Sequence, residues 1–196
     1  RCECPRAKRN RHPLQPPPTY NRRYTMRIRT LLTLGLSSWA AGLAAQPAIL
    51  KLPAEWVIER PDQDSEVIHQ RARKIGPSGE PLMYIELTQV ELEEGEHPQP
   101  KHLLEEMRKQ AQLSLSIEGW LGECSRPKEG ALGKLQSFET TCKLSGSSIN
   151  GFTQTWVAAV SEHHAYTLSY AGPQNGYEQV LPQIQILRGT DSFPRD

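Results

Sequence analysis

Two cysteines, Cys124 and Cys142, stand about 18 residues apart beside segments that read as strands. That spacing suits a structural disulfide, which in the chain-entropy model contributes about 3 kcal/mol. A redox-active pair would instead call for Cys-x-x-Cys at a helix start. Glu162, His163 and His164 form a second constellation, with His97 and His102 elsewhere. Neighbouring strand residues point to opposite faces, so a single ion rarely takes both histidines of such a pair. The expectation is therefore solvated turn histidines, with no metal and no cofactor implied. Arg71 and Arg73 fall on one face of a strand beside His69. They could clamp a carboxylate or phosphate, or serve as charges that keep an edge strand from pairing. Arg71, Arg73, His163 and His164 are thus the candidate binding residues, and Cys124–Cys142 the candidate disulfide. The acidic run Glu91 to Glu96 lacks the spacing of a calcium loop and reads as solvated.

Catalytic signatures are missing from the sequence. There is no Gly-x-Ser-x-Gly elbow, no His-Glu-x-x-His and no phosphate-cradling glycine loop. The expected class is a non-enzymatic binding or accessory domain. The alternative is a small cell-envelope hydrolase with an irregular site.

Location follows from Met26 to Ala45, MRIRTLLTLGLSSWAAGLAA. Arg27 and Arg29 precede a short apolar run, and Ala41, Gly42, Ala44 and Ala45 close it, which is the three-part pattern of a secretory signal peptide. The run is too short for the roughly 20 residues of a membrane span. Residues 1–25, rich in Arg and Pro, read as a disordered or untranslated basic segment ahead of Met26. Residues 46–196 then form the working domain, with 14 basic and 21 acidic residues and a net charge of −7. An acidic domain disfavours nucleic acid and anionic lipid as partners. The partner expected is another envelope protein or a small ligand, met in the periplasm by a soluble domain without a membrane anchor.

The elements that must position these residues can be read from periodicity. Glu55 to Arg60 is a first strand, and Glu66 to Lys74 alternates as a half-exposed edge strand. Pro81 to Val90 carries apolar residues on both faces and reads as central. Pro100 to Glu118 shows helical spacing through Leu104, Met107, Ala111 and Leu115, with Gly119 as its stop. Leu121 to Ser125 is a short strand, Arg126 to Gly133 a turn-rich loop, and Lys134 to Leu144 extended. Ile149 to Ser161 and Ala165 to Ala171 are strands, and Trp56, Trp120 and Trp156, with Tyr84, Tyr166 and Tyr170, are core candidates. Tyr177 to Leu187 is a closing helix, either kinked at Pro182 or beginning there. Strands, a helix, a meander and a helix give an α+β fold, an antiparallel β-sheet with helices packed on it.

The ending, AYTLSYAG followed by a small-polar break, Tyr177 and QIQILRG, has a recognisable grammar. With the earlier strand, long helix and meander, it resembles the PsbP-like α/β/α sandwich across most of residues 50–190. That group includes photosystem extrinsic proteins, the periplasmic lipoprotein DcrB and chaperones that hold secretion-system effectors. The resemblance implies architecture and an exported bacterial setting. It implies no lipid anchor here, because no cysteine stands at the leader exit. Because one fold hosts unrelated functions, the resemblance leaves the role open.

Overall fold

Alternating apolar and polar residues build the first meander: β1 (Trp56–Asp64), β2 (Val67–Ile75) and β3 (Pro81–Glu91), each antiparallel to the next. The computed structural model describes residues 50–64, 67–117, 119–146, 149–190 and 193; the leader and the basic segment before it lie outside the described residues. On β3, Met83, Ile85, Leu87 and Gln89 are buried while the residues between them are half-buried, the signature of a strand covered on one face and partly on the other.

From β3 the chain crosses one sheet face as α1 (Pro100–Ile117). Leu104 and Leu115 are buried beneath it, with Leu103, Met107 and Ala111 packed alongside. Gly119 ends it with φ of 79°, a left-handed conformation that a Cβ would disfavour. Its N–H donates to the Ser116 carbonyl and the Trp120 N–H donates to Leu115, satisfying carbonyls of the last turn. The crossover delivers the chain to the far edge as β4 (Leu121–Cys124) and β5 (Lys128–Leu132), which both pair with β6 (Leu135–Gly146).

β7 (Ile149–Val160) and β8 (His164–Pro173) then return toward the middle, and β8 inserts beside β3. The resulting order is β1-β2-β3-β8-β7-β6-β4, with β5 on the same edge of β6 as β4. Finally α2 (Gln174–Arg188) lies on the face opposite α1, burying Tyr177, Val180, Ile184 and Leu187 against β3, β7 and β8. Gly172 and Gly176 allow its first turn to sit close to β3: a Cβ at either would fall 2.3 or 2.6 Å from the Leu82 carbonyl oxygen. The architecture is the expected α+β fold, an antiparallel sheet between helices.

Three local expectations change. β2 is not an edge strand, because β1 pairs along its outer side and takes the edge position. The charges on Arg71 and Arg73 therefore face outward from a sheet interior rather than guarding an edge. Lys128 to Leu132, read as loop from its glycine and proline surroundings, is strand because the long β6 offers it a partner. Pro182 sits inside one continuous helix beginning at Gln174, three residues before the sequence suggested. Trp56, Trp156, Tyr166 and Tyr170 are buried as core residues, and Tyr84 and Trp120 are partly so.

Candidate functional site

Cross-strand register brings the charged residues together. Arg71 on β2 stands opposite Glu86 on β3, Glu86 opposite Ser169 on β8, and Ser169 opposite Trp156 on β7. Trp156 belongs to the cluster under α1, so this row lies on the α1 face of the sheet. The neighbouring rows run His69, Thr88, Thr167, Ala158 and Arg73, Tyr84, Ala171, Gln154, Cys142, Cys124. Among the described residues, α1 lies mainly over β4, β6 and β7, and its cluster reaches Ala171 of β8 and Tyr84 of β3 at the margin. The half of its face made by β1, β2, β3 and β8 is left with His69, Arg71, Arg73, Tyr84, Glu86, Thr88 and Ser169 half-buried or exposed.

Within this half, Glu86 is the shared anion. One carboxylate oxygen meets Nε2 of His69, and the other stands 3.6 Å from Nε of Arg71, an ion pair without a hydrogen bond. The Nε and Nη2 atoms of Arg71 are shielded and make no hydrogen bond among the described residues, although the side chain as a whole is 31% exposed. Arg73 is exposed and has no ion-pair partner there. Beside it, the Tyr84 hydroxyl is pushed above its ordinary pKa by burial, against the opposing effect of Arg73. Val57, directly opposite Arg73, and Val90 farther along β3 are exposed apolar residues of the same face.

The other candidates are separated by the fold. His163 is solvated in the turn before β8, but His164 is not the solvated turn residue expected: it is the first residue of β8, and pairing with Glu91 of β3 buries it, its Nδ1 shielded. His97 lies in the loop before α1 and His102 is exposed on the helix. Among the described residues, no three His, Cys, Asp or Glu side chains converge as ligands would. Cys124 and Cys142 form the disulfide, directly paired across β4 and β6 with Cα atoms 3.9 Å apart. It lies under α1, where Gln112 Nε2 approaches the Cys124 sulfur at 3.6 Å.

Sequence reasoning missed Glu86 and Tyr84 as companions of the arginines. Their alternation on β3 was legible, but the register that sets them against β2 was not. It also missed a polar network under α2. Tyr177 shares a 2.6 Å hydrogen bond with Thr155, which shares one of 2.7 Å with Thr141. Burial, with the neighbouring Tyr170 ring stacked at 5.8 Å, holds the Tyr177 hydroxyl well above its ordinary pKa. Arg188 closes the network, bonding Glu139 at 2.5 Å and the Ala131 carbonyl at 3.1 Å, while Lys128 reaches Glu139 at 2.8 Å. Burial would push Glu139 up, but Lys128 and Arg188 outweigh it and hold its carboxyl below the usual range. These groups tie α2 and β5 to the sheet.

Among solved structures, the chain is similar to the solution structure of cyanobacterial PsbP (CyanoP) from Synechocystis sp. PCC 6803. The TM-score is 0.51 at 10% identity, over 77% of this chain and 94% of that one, a likeness of fold. No curated protein matches the chain. No helix among the described residues is long and apolar enough to cross a membrane. A family model does match, over residues 37–193, and the chain belongs to that family, the domain of unknown function DUF4946.

Proposed function

We propose that this is an exported, non-enzymatic binding or accessory domain of the periplasm, and that it binds through the uncovered half of the α1 face. One observation carries the reading: α1 shelters β4, β6 and β7, while β1, β2, β3 and β8 keep a mixed charged and apolar surface on that face. The other face carries a continuous apolar core, packed under α2 along β3, β7 and β8, with Ile58 exposed at its β1 margin. Four strands at about 4.8 Å spacing make this surface broad enough for a protein segment rather than a small molecule. The leader at Met26 to Ala45 supports export, and the disulfide fits an oxidising compartment.

The test is site-specific photocrosslinking in the cell envelope, with the crosslinker at Val57 or Val90 on this surface and at Gln185 on the outer side of α2. A discrete protein adduct from Val57 and Val90 but not from Gln185 is expected. Adducts from Gln185 alone, or none from the two valines, would count against the surface. Mass spectrometry of the periplasmic form should place its N-terminus near Ala45 or Gln46, and a cytoplasmic chain retaining the leader would count against export.

A further inference from the structure

The geometry points to an acidic protein segment as the partner, one that sets a side-chain carboxylate on Arg73 and Arg71 with an apolar residue beside it. This rests on the reading of the half-face as a binding surface and adds the chemistry of what binds.

Nε and Nη2 share one edge of a guanidinium, the edge that donates two parallel N–H bonds to a carboxylate. On Arg71 both atoms of that edge are shielded without a hydrogen bond, and only the 3.6 Å ion pair of Nε with Glu86 offsets their desolvation. Glu86 does not fill the role: one of its oxygens is engaged by His69, and the other stops 3.6 Å from Nε. Arg73, two residues along on the same face, is exposed and has no ion-pair partner among the described residues, so an incoming anion meets it first. The Arg71 side chain is 31% exposed, so a change of its rotamer is what brings the shielded edge to the same anion.

Charge disfavours a dianion. Arg71 and Arg73 are offset on this face by Glu86 and by Glu59, which stands opposite Arg71 on β1. The four formal charges sum to zero. A phosphate dianion would meet both carboxylates, whereas a single carboxylate can lie flat on one fork at less repulsive cost. Exposed Val57 and half-buried Tyr84 flank Arg73 on either side, which favours an apolar residue next to the acid.

The experiment pans the purified protein against a displayed library of random dodecapeptides, then measures binding of one enriched peptide made synthetically. The enriched sequences should carry Asp or Glu adjacent to an apolar residue. Changing that acid to its amide should weaken Kd at least about tenfold, a change of about 1.4 kcal/mol. Arg73→Gln and Arg71→Gln should do the same, with Arg→Lys at either position restoring only part, because an ammonium offers no fork. The acid-to-amide change needs no protein variant, so the test survives if Arg71→Gln fails to fold. Inorganic phosphate should not displace the peptide at millimolar concentration; displacement would overturn the carboxylate assignment in favour of a phosphate site. Amide NMR shifts separate the two levels. Shifts on β2 and β3 without dependence on the acid would overturn this inference and leave the surface standing. Shifts confined to the α2 side, or no enriched peptide, would overturn both.

Discussion

The two faces of the sheet are built from the same strands and finished differently. Beneath α2, buried residues from β1, β2, β3, β5, β7 and β8 join Tyr177, Val180, Ile184 and Leu187 in one continuous core, and Tyr177, Thr155 and Thr141, with Arg188 and Glu139, form polar links inside it. Beneath α1 the apolar cluster is confined to the β4, β6 and β7 side with a margin on β8 and β3, and beyond it the same face turns to charge. Stability is therefore concentrated on the α2 face, and the residues free to serve binding lie on the α1 face. A sheet whose core lies mainly on one side can leave part of the other open, since surface positions tolerate change far better than core positions.

The sharpest way to break this contrast is to truncate one residue on each side. Leu168→Ala, fully buried at the centre of the α2 face, should lower unfolding free energy by about 3–4 kcal/mol. Val90→Ala on the open half should change it by no more than about 0.5 kcal/mol. Urea denaturation of both variants decides the matter, and equal losses would mean that the open half is a second core.

Next in size is the disulfide. Replacing Cys124 and Cys142 together with Ser should lower stability by about 2–4 kcal/mol while leaving the fold intact, as thermal melts and far-UV circular dichroism would report. Its effect should be felt on the α1 side, so exchange of amide hydrogens should quicken in β4 and the end of α1 before it does in α2. Quickening that began in α2 would show the two faces to be less independent than the packing implies.

The smallest effect concerns acid. Glu139 has its pKa depressed in the fold, so its contribution is present above the unfolded-state value and is lost as pH falls through that value toward the folded one. Glu139→Gln should cost about 1–2 kcal/mol at pH 7 through Lys128 and Arg188. It should also flatten the decline of stability on the acid side, measured by urea melts from pH 7 to pH 3. An unchanged slope would assign the acid sensitivity elsewhere.

Much of the scaffold was legible from residue types. The period of α1, its glycine stop and the central character of β3 followed from local patterns that survive in the fold. The edge assignment of β2 failed because strand order is set by which strand finds which partner, information absent from the alternation of one segment. β5 was hidden for the same reason: Lys128 to Leu132 has turn-forming composition, and only the length of β6 makes it a strand.

The candidate site divides along the same line. Residue chemistry alone marked Arg71 and Arg73 as a same-face pair and Cys124 with Cys142 as a disulfide, because strand period and cysteine spacing are local quantities. Glu86, Tyr84 and Ser169 entered only with register, since β8 reaches its place beside β3 after the α1 crossover and four more strands, β4 to β7. Among the described residues, the half-face is left open because α1, one helix wide, lies over the disulfide end of the sheet. Its apolar stripe was written in the sequence, but the strands that would receive it were decided by long-range pairing and the packing that followed.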